Sequence, residues 1–117
     1  GHVMALIGFT GQIKGTCTLS MPHDTARNMV GRLLSMELSV EDPIAVDGLS
    51  ELVNMIAGSA KADLSRVAKE TIELSLPVVI RGTDYTVESP SQSRWLEIPF
   101  ESDMGAFEIR ISFERVA

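Results

Sequence analysis

The eight residues Phe107-Glu108-Ile109-Arg110-Ile111-Ser112-Phe113-Glu114 alternate apolar and polar side chains without a break. Successive side chains of a strand point to opposite faces, so this run reads as a strand with one greasy face and one wet face. A strand of that kind belongs to an antiparallel sheet that is covered on one side and solvated on the other. The rest of the chain has to supply partner strands and a cover for the apolar face.

Val3 to Thr10 and Ile13 to Ser20 read as two strands joined at Gly11-Gln12, the second with Lys14, Thr16 and Thr18 on its outer face. Met21-Pro22 opens a helix, with proline in a first-turn position, Asp24 near the positive end of the dipole, and an apolar stripe of Ala26, Met29, Val30, Leu33 and Leu34. Asp42-Pro43 is a cap-then-proline start for a second, longer helix reaching about Leu64 or Val67, with Gly48 weakening its first two turns. The second half is β. Ile72, Leu74 and Leu76 alternate with Glu73 and Ser75, Pro77 interrupts, and Val78-Val79-Ile80 continues briefly to Arg81-Gly82. Thr83 to Ser93 reads as a loop or weak edge strand. Leu96, Ile98 and Phe100 form an inward face with Pro99 marking an edge or bulge, and Ser102-Asp103-Met104-Gly105 is a hairpin loop. The order ββααββ predicts one α+β domain over 3–117, an antiparallel sheet with two long helices packed on one face. Gly1-His2 looks like the remnant of a cleaved tag and is set outside the fold.

Composition removes several functions. The net charge of −6 lacks the basic footprint that nucleic acid requires. No apolar run approaches the ~20 residues of a membrane span, and no segment reads as a signal peptide. A single Cys17 rules out an internal disulfide and fits a reducing cytoplasm; in a strand-like run it reads as a buried, inert thiol. The two histidines, His2 and His23, build neither a Ser-His-Asp set nor a zinc site. No glycine-rich loop joins a strand to a helix, so there is no nucleotide fingerprint. Trp95 reads as packing or a partly exposed anchor.

What remains is on the long helix. Leu49, Val53, Ile56, Ala60 and Leu64 share an inward stripe, while Glu51, Asn54 and Gly58 fall together on the opposite side with Asp47 above and Lys61 below. Residues three apart are helix neighbours, so a carboxylate and a carboxamide point out side by side. Gly58 costs roughly 1 kcal/mol relative to alanine inside a helix. On a solvated face that cost suggests the close approach of another backbone or a bulky group.

The segment Glu51-Leu52-Val53-Asn54-Met55-Ile56-Ala57-Gly58-Ser59-Ala60-Lys61 resembles the Glu-x-x-Asn motif of the CheX/CheC-type chemotaxis phosphatases. Ile7-Gly8-Phe9-Thr10-Gly11 through Lys14-Gly15-Thr16 resembles that family's first hairpin, and Leu74-Ser75-Leu76-Pro77-Val78-Val79-Ile80-Arg81-Gly82 its strand-proline-strand segment. Ile98-Pro99-Phe100 and Gly105-Ala106-Phe107-Glu108-Ile109 resemble its closing hairpin. The four segments occur in family order across nearly all of residues 3–115.

The resemblance implies hydrolysis of the aspartyl phosphate of a CheY-type response regulator. Asn54 would hold the attacking water and Glu51 would pair with the receiver's lysine, while Asp47, Met55, Gly58 and Lys61 would contact the partner. No cofactor is implied on this chain; Mg²⁺ is expected on the receiver. Asn28 follows Thr25, not a glutamate, at the motif spacing, so a two-site CheC-like arrangement is not supported and the CheX branch is favoured, whose members dimerise through their sheets. Ser50 stands where the family often has glycine. Family domains begin with a helix ahead of the first hairpin, and its apparent absence here implies a partly bare sheet face that favours a homodimer. The alternative is a non-catalytic, flagellar-switch-like module that binds a response regulator or only dimerises.

Overall fold

Antiparallel pairing carries the architecture. The computed structural model describes residues 2–37, 42–68, 71–82 and 95–115. In chain order the elements are β1 (His2–Gly11), β2 (Ile13–Pro22), α1 (His23–Leu34), α2 (Pro43–Ala68), β3 (Ile72–Leu74), β4 (Val78–Gly82), β5 (Trp95–Ser102) and β6 (Gly105–Arg115). The sheet runs β3-β1-β2-β6-β5, with β4 also paired to β1, and every pairing is antiparallel. The expected α+β class, with helices on one face, is what forms. His2 is not outside the fold: it is the first residue of β1, opposite Pro22 and Gly82, and its carbonyl accepts a hydrogen bond from His23 Nε2 at 3.1 Å. The loop or weak strand expected over Thr83 to Ser93 lies outside the described residues.

β3 and β4 lie in line along the outer side of β1. Between the pairs Phe9–Leu74 and Leu6–Val78, two residues of β1 face three of the other segment, Ser75, Leu76 and Pro77. That is one extra residue, a β-bulge. Ser75 holds it, its N–H donating to the Gly8 carbonyl at 2.9 Å while its Oγ accepts from the Gly8 N–H at 2.8 Å. An extra residue flips the side-chain alternation. Leu76, in phase with Ile72 and Leu74 in the sequence, is therefore 87% exposed, and Val79 rather than Val78 or Ile80 packs against the core.

The core lies between the sheet and the helices. Val3, Ala5, Ile7 and Phe9 of β1 and Cys17, Leu19 and Met21 of β2 meet Ala45, Leu49, Val53 and Ala57 of α2 and Ala26 and Val30 of α1. On the other face Lys14 is exposed as expected, but Thr18 is buried, flanked in the register by Leu6 and Arg110. The Arg110 guanidinium lies 4.8 Å from the centre of the Trp95 ring and pairs with Glu97 at 2.8 Å.

α2 is unbroken through Gly48; a Cβ there would lie 2.7 Å from Val30 Cγ1, so the glycine is where α2 crosses α1. Pro22 is not in the first turn of α1 but precedes it with extended angles (φ −61°, ψ 155°), closing β2. The last turn of α1 runs past the core, leaving Leu33 and Leu34 exposed, and is tied to the β5–β6 turn by Arg32–Asp103 at 3.1 Å. The helix layer also stops short of β5. Leu96 and Phe100, expected inside, are exposed together with Phe113, although Phe100 stacks on Phe107 at 4.9 Å.

Candidate functional site

The position of α2 is set before its motif begins. Asp42 Oδ1 accepts the Ile44 N–H at 2.9 Å, and the Asp42 carbonyl accepts the N–H groups of Ala45 and Val46 at 2.9 and 3.3 Å. Pro43 follows in the first turn, where its missing N–H costs nothing. From this start Leu49, Val53 and Ala57 are driven fully into the core, which fixes the rotation of the helix. Ala57 was absent from the expected stripe, whose Ile56, Ala60 and Leu64 are its half-buried flanks.

The opposite side is thereby determined. Glu51 is exposed and Asn54 is half-buried. At about 100° and 1.5 Å per residue they stand about 60° apart round the helix and about 4.5 Å apart along it. Asp47 and Met55 are exposed, Gly58 and Lys61 half-buried, and by the same geometry all four lie within about 80° of Glu51. The structure thus brings the six residues named from the sequence onto one side of α2. Among the described residues neither Glu51 nor Asn54 has a hydrogen-bond or ion-pair partner. Gly58 has nothing within 4 Å of where a Cβ would stand, the reverse of Gly48. No contact among the described residues requires it.

Other groups are occupied or remote. Ser50, beside the motif, donates its hydroxyl to the Val46 carbonyl at 2.9 Å. Asn28, the other asparagine, donates through Nδ2 to the Met104 carbonyl at 3.0 Å, and Thr25 before it is buried. Cys17 is buried, and desolvation pushes its thiol from 9.0 up to about 11, so it is not a thiolate near neutral pH. Among the described residues no three of His, Cys, Asp and Glu gather to hold a metal ion, and no helix is long and apolar enough to cross a membrane. A cavity of about 590 Å³ opens at the sheet around Met4, Ser20, Pro99, Glu108 and Arg110, and no residue of α2 lines it. One residue escaped the sequence reading. Ile44 is exposed seven residues before Glu51, a two-turn spacing that puts the two side chains in line.

The chain matches the family described as Chemotaxis phosphatase CheX over residues 3–101. It belongs to the CheX family. The CheY-P phosphatase CheX of Thermotoga maritima is 31% identical over 88 residues, 74% of this chain; those residues span 56% of the Thermotoga protein. A CheC-like superfamily protein from Shewanella sp. PV-4 superposes with a TM-score of 0.85 at 31% identity, covering 97% of this chain and 74% of that one. The CheX of Borrelia burgdorferi, solved as a complex with CheY, BeF3 and Mg²⁺, shares the fold with a TM-score of 0.83 at 24% identity, over 97% of this chain and 76% of that one.

Proposed function

We propose that the chain hydrolyses the aspartyl phosphate of a CheY-type response regulator, with Asn54 orienting the attacking water and Glu51 anchoring the partner's lysine. The observation that carries this is the pair itself. A carboxylate and a carboxamide stand one helical turn apart on the outward side of α2, without partners among the described residues, beside a glycine that the domain's packing does not need. Membership of the CheX family and the activity named for the Thermotoga relative support it.

The chemistry asks little more of this chain. Phosphoryl transfer is chiefly positioning and charge stabilisation. The receiver brings the acyl phosphate, its Mg²⁺ and a lysine; Mg²⁺ neutralises charge on the transferring group there, and this chain needs no metal of its own. Water attacks phosphorus, the bond to the aspartyl oxygen breaks with its electrons returning to the carboxylate, and inorganic phosphate leaves with the water's oxygen. The Asn54 carboxamide accepts a hydrogen bond from that water and does not titrate. Confining the water is an orientation effect, worth about 10²-fold here, a modest part of what positioning can supply. Glu51, paired with the lysine by a charge-assisted hydrogen bond, holds the helix in the cleft. Asp47, Met55 and Lys61 contact the receiver around the pair, and Gly58 leaves room for its backbone. We also propose a cytoplasmic setting and a homodimer, the latter supported by the exposed Leu96, Phe100 and Phe113.

The test is the rate at which a panel of phosphorylated receivers loses phosphate with Mg²⁺ present. The wild-type chain accelerates the loss for its cognate receiver; Asn54→Ala lowers kcat roughly 10²-fold, and Glu51→Ala weakens receiver binding. Binding that survives loss of both side chains, with no turnover by wild type, would instead favour a docking module.

A further inference from the structure

α2 carries two large apolar side chains that its own domain does not use. Ile44 is 45% and Met55 56% exposed, and they are the exposed large hydrophobics of this helix among the described residues. Eleven residues, about three turns, separate them, so they lie within about 20° of each other round the axis. Glu51 falls between them, about 20° from Ile44 and about 40° from Met55. The fully buried Leu49, Val53 and Ala57 occupy the opposite side, so this line points straight away from the core. Between the two apolar residues stand Asp47 and Glu51, both exposed and neither paired among the described residues. Beyond Met55 the ridge falls to Gly58, Ser59 and Ala62.

A single exposed hydrophobe needs no explanation. Two of them aligned astride a motif carboxylate, with uncompensated negative charge between, form a surface of defined chemistry. It fits a partner that presents a basic group flanked by two apolar patches.

We infer that Ile44 and Met55 are positioning residues that set the register of α2 on the receiver. This rests on the proposed receiver substrate. The rise of the helix puts the partner's two apolar patches about 10 Å to one side and about 6 Å to the other of the basic group that meets Glu51. One anchor and one ion pair leave a helix free to roll; a second apolar anchor on the far side of the charge fixes rotation and axial position together. Neither side chain reaches the reacting phosphorus. Their loss therefore weakens docking and leaves the chemical step intact, whereas loss of Asn54 acts on the chemical step.

The experiment uses Ile44→Ser, Met55→Ser and the double variant, with Ile44→Leu and Met55→Leu as conservative controls. Thermal unfolding verifies each fold; all the substitutions are at exposed positions. Steady-state phosphate release from the cognate receiver gives kcat and KM, and calorimetry gives Kd for the receiver activated with beryllium fluoride. The double serine variant raises KM and Kd by about 30-fold and leaves kcat within about twofold, and the leucine variants restore wild-type KM. Wild-type KM and Kd in the double serine variant, with wild-type turnover normal, overturn the inference and leave the phosphatase assignment standing. A change in sedimentation of the chain alone, with receiver binding unchanged, makes this face a contact between copies and also overturns it. A wild-type chain that neither binds nor dephosphorylates any receiver removes both claims.

Discussion

Gly48 and Gly58 carry the same penalty in a helix and are indistinguishable by sequence, yet the structure gives them opposite reasons for being there. A methyl group on Gly48 would meet Val30 Cγ1 at 2.7 Å, and Val30 is buried and β-branched, so it cannot swing aside. Gly48→Ala should therefore destabilise the domain by about 1–3 kcal/mol, through overpacking that outweighs the gain in helix propensity. At Gly58 nothing lies within 4 Å. Gly58→Ala should stabilise the isolated chain by about 0.8–1 kcal/mol and lower kcat/KM on the receiver roughly tenfold, a loss of about 1.4 kcal/mol, because the new methyl occupies the partner's space. Urea unfolding and receiver turnover on the two variants check this. A Gly58→Ala chain that gains stability and keeps full turnover would return Gly58 to an unexplained surface residue. That Glu51 and Asn54 share one side of the helix was legible from spacing, because three residues make a near-complete turn; the roles proposed for them came from the family resemblance. The same periodicity puts Ile44 two turns before Glu51 in a helix that starts at Asp42-Pro43, but a single apolar residue in a first turn carries no signal of its own exposure.

The strands show where pattern reading succeeds and where it stops. β6 alternates in the sequence and takes its place in the interior of the sheet, paired on both sides with β2 and β5. The segment from Ile72 to Gly82 alternates as clearly at its start, yet the bulge at Ser75, Leu76 and Pro77 reverses its faces halfway. Pro77 signals an interruption but not how many residues it adds, and one residue decides which side chains face the core. Helix ends were legible for a chemical reason. Asp42 caps its own helix through the Ile44 N–H, and Asp-Pro at a helix start is read directly. At Met21-Pro22 the same logic misplaced proline, because β2 continues to Pro22 and the helix follows without a side-chain cap. The longest helix buries one stripe on β1 and presents the motif on the other, so one amphipathic pattern fixes both the core and the orientation of the site.

For the whole molecule, the alternation of β and α segments determined the class, but the extent of the helix layer was not readable. Leu96 and Phe100 read as inward, and they do lie on the helix side of the sheet, yet neither helix reaches them. Apolar side chains exposed there beside Phe113 make a surface suited to a second copy. Sedimentation of the purified chain should therefore show a dimer, and a Leu96→Glu, Phe113→Glu double variant a monomer with unchanged circular dichroism. A wild-type chain that is monomeric at every concentration would contradict this. The proposed site is carried by α2 and the pairing patch by β5 and β6, so a dimer formed through that patch would carry two sites.

The central claim is that α2 delivers an adjacent carboxylate and carboxamide into a receiver's acyl-phosphate pocket. The most direct measurement is a crystal structure of the chain bound to its cognate receiver, with beryllium fluoride and Mg²⁺ in place of the phosphoryl group. The account predicts the Asn54 carboxamide within hydrogen-bond reach of the point in line with, and opposite to, the aspartyl oxygen, with the Glu51 carboxylate on the receiver's lysine. A complex in which α2 lies away from the beryllium fluoride, or in which Glu51 and Asn54 face solvent, would contradict it.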